Sequence, residues 1–115
     1  MAITVTLDSN GMVNIDPVTQ TKKRNGKRDH KISWKQGSDT EPFRFICLYF
    51  DSDDAPISDI EINKTEITCK DKIKKNSGTH NWNYVVTVMD PDGHIFSSGS
   101  SIDAAGGRGV IRNEN

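Results

Sequence analysis

The feature that most constrains this chain is a two-residue period broken by short turns. The stretch WNYVVTVMDPDGHIFSS, residues 82–98, shows it most clearly. In an extended chain Trp82, Tyr84, Val86 and Val88 fall on one side, and Asn83, Val85, Thr87 and Met89 on the other. β-Branched and aromatic residues of this kind pack well on a pleated, half-buried surface. Asp90-Pro91-Asp92-Gly93 then ends the run. Proline presets φ at the second turn position, and glycine accepts a backbone angle that side chains resist. Ile95 and Phe96 resume the extended pattern, so the stretch predicts strand, tight turn, strand.

The same grammar recurs along the chain. ITVTL (3–7) alternates, Asp8-Ser9-Asn10-Gly11 turns, and MVNI (12–15) returns, predicting a first hairpin that Asp16-Pro17 closes. Ile32 and Trp34 share one face. PFRFICLYF (42–50) is the most apolar run, and from Ile46 onward both of its faces are apolar, which predicts a strand covered on both sides. ISDIEI and TEITCK add short alternating pieces. No segment sustains a helical period. About seven to nine short strands with regular turn signals predict an all-β chain, an antiparallel β-sandwich of immunoglobulin-like architecture with Greek-key connections. An immunoglobulin domain proper places a tryptophan between its two cysteines; here Trp34 precedes and Trp82 follows both Cys47 and Cys69. The single domain is expected over residues 1–100, with Trp34, Phe43, Phe45, Cys47, Trp82, Tyr84, Val86 and Val88 in its core. Residues 101–115, rich in glycine, serine and alanine, read as a partly flexible C-terminal tail.

Composition limits what such a domain does. With 33% hydrophobic and 27% charged residues the core is thin and the surface generous. A net charge of −1 excludes a global pull toward nucleic acid or anionic membrane, so any such attraction must come from local patches. The N-terminal MAITVTLDSNG has neither a basic start nor a long apolar run, and a cytoplasmic protein with no membrane contact is the expectation. In that compartment both cysteines are expected as reduced, buried thiols, with an inter-sheet disulfide as the alternative.

Metal and catalytic chemistry find little support. DSDDAPISDIEI, from Asp51, carries acids at the first and third positions of an EF-hand loop. Pro56 replaces the glycine of the sharp turn, however, and Ile62 the terminal glutamate. Asp51, Asp53 and Asp54 with Asp90 and Asp92 would be the set for calcium held between loops, but acids in turns ordinarily hydrogen-bond the turn backbone. Cys69, His80 and Met89 are too widely spaced for a copper loop, and His30, His80 and His94 lack paired metal spacing. There is no Gly-x-Ser-x-Gly elbow, and AAGGRG lacks the phosphate-cradling signature. The expectation is a non-enzymatic protein without metal or cofactor.

The remaining signal is basic. Lys22, Lys23, Arg24, Lys27, Arg28 and Lys31 lead into Lys35, and Lys70, Lys72, Lys74 and Lys75 form a second tract. Brought together by the fold, they would form a phosphate or partner contact. Interleaved aromatics for base stacking are missing, and the acids between Asp39 and Glu66 suggest a dipolar molecule that meets a protein partner or another copy of itself. The reading is therefore a binding or assembly module, with the alternative of a nucleic-acid-binding domain using the tracts at 22–35 and 70–75.

Several of these elements together resemble DP-EP, a family of small uncharacterised bacterial β-sandwich proteins. They are Asp16-Pro17 after the first hairpin, Ile32 with Trp34, Phe43 with Phe45, and WNYVVTV followed by the Asp90-Pro91-Asp92-Gly93 turn. Where that pattern carries a late Asp-Pro-x-Ile, this chain has GSSID. WNYVVTVMDPDGHIF is also similar to inclusion-body proteins of the AidA/PixA type. Neither resemblance implies an activity or a catalytic residue.

Overall fold

Alternating side chains can bury one face only if their strands find both hydrogen-bonding neighbours and an apolar layer to pack on. The computed structural model describes residues 2–16, 19–22, 29–72, 79–99 and 109–114. Among them run β1 (Ala2–Leu7), β2 (Val13–Asp16), β3 (Thr19–Lys22), β4 (Asp29–Gln36) and β5 (Arg44–Phe50), then β6 (Ile57–Ile62), β7 (Glu66–Lys72), β8 (His80–Met89), β9 (Ile95–Ser97) and β10 (Gly109–Glu114). The described residues form no helix. The first sheet has the order β2-β1-β4-β7-β6 and the second β3-β10-β8-β5. β9 shares an edge of β8 with β10: β10 pairs with residues 80–84 and β9 with residues 87–89. The chain is all-β and sandwich-like, as expected.

One core joins the two sheets. Ile3, Val5, Ile32, Trp34 and Ile67 come from the first, and Phe45, Leu48, Tyr84, Val86 and Val88 from the second. The rings of Trp34 and Tyr84 meet edge to face across the interface, with centroids 5.3 Å apart at 76°, the arrangement that ring quadrupoles favour. Trp82 is partly buried and packs against this cluster.

Four expectations need correction. The sheets are mixed, not purely antiparallel: β1 runs parallel to β4, and β3 parallel to β10. The chain leaves the first sheet after β2, forms an edge of the second as β3, and returns as β4 beside β1. Cys47 is exposed, not in the core. The pairing of β5 with β8 shifts between Phe45 and Cys47, and the extra residue of a bulge inverts the alternation beyond it. Leu48 takes the inward position instead, and Cys47 and Tyr49, the latter 63% exposed, face out. β5 is accordingly an edge strand with one open face, not a strand covered on both sides. Finally, residues 109–114, expected within a flexible tail, form β10 between β3 and β8, burying Val110, Ile111 and Asn113. Gly109, read as a source of flexibility, lies against its register partner Tyr84, where any side chain would run into the ring.

Register sets the two ends of this 46 × 28 × 24 Å molecule. Asp29 is level with Lys72, Asn113 with His80, and Glu114 with Lys22 at one end. There Asn113 Nδ2 donates to Asp71 Oδ1 at 3.2 Å, joining β10 to β7, with both side chains buried. The opposite end carries the turns at 8–12 and 90–94 and the segment 37–43.

Candidate functional site

Two turns of the same construction stand side by side at that end. In each, the side chain of the leading aspartate imitates a backbone acceptor. Asp8 Oδ1 accepts from the amides of Asn10 at 2.9 Å and Met12 at 3.0 Å. Asp90 Oδ1 accepts from Asp92 at 3.0 Å and His94 at 2.9 Å. The Asp8 and Asp90 carbonyls each accept from the amide three residues on, at 3.1 Å. Gly11 and Gly93 supply φ of +81° and +89°, the left-handed region where glycine is free. Asp90 Oδ2 also meets His94 Nδ1 at 3.0 Å. The Met12 amide, helped by Asn10 and Asn14, holds the Asp8 carboxyl below its usual range against a smaller effect of burial. At Asp90 burial works against the charge, but the amide and ring of His94 and the Asp92 amide outweigh it, so this carboxyl is also lowered.

Packing brings the turns together. A side-chain carbon on Gly11 would lie 2.8 Å from the Phe96 ring, so only glycine lets the first turn rest on β9. The segment 37–43 closes the third side. The Leu7 amide donates to Thr40 Oγ1 at 2.7 Å, the Glu41 amide to the Leu7 carbonyl at 2.8 Å, and Gln36 Nε2 to the Phe43 carbonyl at 2.5 Å.

The result is a cleft of two lobes that share Pro42, Asp90 and Pro91 as a common wall. The first lobe, about 410 Å³, lies between the turns and counts Asp8, Glu41, Asp90 and Asp92 among its lining residues, beside Leu7 and Phe96, with no lysine or arginine. The second, also about 410 Å³, is walled by Pro42, Phe43, Met89 and Pro91, with Arg44 as its cation. Asp8 and Asp90 are engaged in their turns, whereas the carboxylates of Glu41 and Asp92 make no hydrogen bond or ion pair among the described residues.

Among the described residues of the cleft, no nucleophile is paired with a base. His94 is oriented by Asp90, yet no hydroxyl or thiol is hydrogen-bonded to its ring among the described residues. Asp90, Asp92 and His94 can bring three ligand atoms within 4.8 Å of one another, although Asp90 already serves the turn with both oxygens. The calcium set considered from sequence does not converge. The Asp51 amide bonds to Asn83, and the loop it opens reaches Lys72 through Pro56, six residues along β8 from Met89, or about 20 Å. His80 and Met89 bound β8 at opposite ends, about 30 Å apart, so the copper set does not converge either.

The basic tracts do meet in part. Lys31 on β4 and Lys70 on β7 are direct cross-strand partners. Acids are interleaved with them: Lys70 Nζ lies 3.3 Å from Asp59 Oδ2, Lys35 Nζ lies 3.4 Å from Glu66 Oε2, and Lys72 is opposite Asp29. Ser33 and Thr68 fill the next cross-strand pair on the same face, a position where a base-stacking surface would carry aromatics. Lys22 ends β3 in the other sheet. Lys23, Arg24, Lys27, Arg28, Lys74 and Lys75 lie outside the described residues. Sequence reasoning missed the cleft, whose one advance signal is the repeated Asp-x-x-Gly of DSNG and DPDG. No protein-family model matches the chain, and no curated protein matches it.

Proposed function

We propose that this protein is a non-enzymatic binding module that holds a segment of a partner protein in the cleft between its Asp8 and Asp90 turns. The observation that carries this reading is the two-lobed shape itself, apolar on one side of the Pro42–Pro91 wall and anionic on the other. Both turns satisfy their own backbone groups, so the cleft is formed before anything enters it and little ordering opposes binding. Two unpaired cysteines, one of them exposed, support a reducing, cytoplasmic setting. Among the described residues there is no helix long and apolar enough to cross a membrane.

The test is a random heptapeptide display library panned on the native protein and on Pro42→Trp, which sets an indole over the shared wall. Retention at least about tenfold higher on the native protein, equivalent to roughly 1.4 kcal/mol, is expected. Equal retention on both, with melting temperatures unchanged, would remove the cleft as the binding surface.

A second reading has one specific observation in its favour. Lys31 and Lys70 stand side by side, as a nucleic-acid-binding face requires. The interleaved Asp59 and Glu66 count against it, because they would repel the same phosphates.

A further inference from the structure

We infer that the segment held in the cleft is an extended peptide carrying a lysine or arginine immediately beside an apolar residue. This rests on the cleft being the binding surface and names what that surface selects. The lobes lie on either side of a wall made by Pro42, Asp90 and Pro91. Successive side chains of an extended peptide point to opposite sides. A strand laid along the wall therefore drops one residue into each lobe, and the two residues that enter are neighbours in sequence.

Chemistry decides which residue enters which lobe. Pro42, Phe43, Met89 and Pro91 offer an apolar surface that stabilises an aliphatic or aromatic side chain by removing it from water. Arg44, lining the same lobe, repels a second cation there. Across the wall, Glu41 and Asp92 present carboxylates without partners among the described residues. Asp8 and Asp90 add charge that persists to low pH, because their turn amides favour the ionised form. An ammonium or guanidinium entering this lobe completes charge-assisted hydrogen bonds, whereas an acidic residue meets four like charges. The repulsion on each side fixes the direction of the peptide as firmly as the attractions do.

Sequencing the heptapeptides retained by the native protein gives the first readout, and lysine or arginine next to an apolar residue should be enriched. A fluorescein-labelled heptapeptide with a central Leu-Lys pair, compared with its Leu-Gln counterpart by anisotropy, gives the second. The Leu-Lys peptide should bind about tenfold more tightly in low salt, and the advantage should shrink as salt screens it. Glu41→Gln with Asp92→Asn should erase that advantage without weakening the Leu-Gln peptide. These changes spare the fold, since both side chains are exposed and the first turn already has Asn10 where the second has Asp92. A retained pool that Pro42→Trp abolishes but that shows no basic enrichment would overturn this inference and leave the cleft standing. So would an advantage of Leu-Lys that survives in Glu41→Gln/Asp92→Asn. No retention above Pro42→Trp would overturn both.

Discussion

Val86 is fully buried between the sheets, and its truncation to alanine removes two methyl groups from a packed site. Transfer and cavity effects together should cost about 1–3 kcal/mol, read as a lower urea midpoint with unchanged slope. A midpoint equal to that of the native protein would show that the core is looser than its contacts imply. The cysteines give a sharper test, because their environments diverge. Burial, reinforced by the nearby Asp71 charge, raises the Cys69 thiol to about 12. It therefore stays protonated and inert at pH 8, whereas Cys47 is exposed. One equivalent of thiol reagent should react with the native protein and a second only after denaturant is added. Two rapid equivalents would place Cys69 at the surface. Most of the core was legible from the two-residue period: Trp34, Phe43, Phe45, Tyr84, Val86 and Val88 are all buried. Cys47 was not, because alternation cannot reveal an inserted residue. In PFRFICLYF either phase after Phe45 buries apolar groups, so only the pairing with β8 decides.

At the scale of elements, the two Asp-x-x-Gly turns make stability depend on acid. Asp8 and Asp90 have lowered carboxyl pKa values in the folded state. Their contribution is therefore complete above the unfolded value of about 3.9 and lost as pH falls through the lower folded values. Melting temperature measured from pH 7 down to pH 2.5 should fall less in Asp8→Asn/Asp90→Asn than in the native protein, because the substituted turns no longer have a proton to gain. Parallel curves would mean that the turn carboxylates do not contribute to acid lability. The chemistry of each turn was legible from aspartate, proline and glycine at fixed offsets. That the turns adjoin was not, since it depends on Gly11 admitting the Phe96 ring and on residues 37–43 crossing to Leu7. β10 was hidden for a related reason. Its only strongly apolar residues are Val110 and Ile111, and its place is secured by neighbours on both sides, β3 and β8, that are remote in sequence.

The whole molecule is held at the end away from the cleft by a polar link between its sheets. Asn113→Ala would deprive the buried Asp71 carboxylate of a donor, at a cost of about 1–3 kcal/mol in a urea titration. No loss of stability would show that this link adds nothing beyond the surrounding strand pairing. Charge across the molecule is what tests the proposed protein partner against the nucleic-acid alternative. Contact with phosphates releases counterions, and each contact contributes a slope of about −0.7 to −0.9 in log affinity against log salt. Lys31 and Lys70 are the described pair placed to make such contacts. Asp59 draws on Lys70 from 3.3 Å and Glu66 on Lys35 from 3.4 Å, and the net charge of the chain is −1. Labelled single-stranded DNA should accordingly bind weakly at about 20 mM salt and not at about 150 mM, where the screening length is roughly 8 Å. Lys31→Ala/Lys70→Ala should flatten what slope remains. Micromolar or tighter binding at the higher salt, lost when Lys22, Lys23 and Arg24 are changed to alanine, would reverse the order of the two readings. The basic tracts would then be the working surface, because exposed acids interleaved among them would have failed to repel a polyanion at an ionic strength where only close contacts survive.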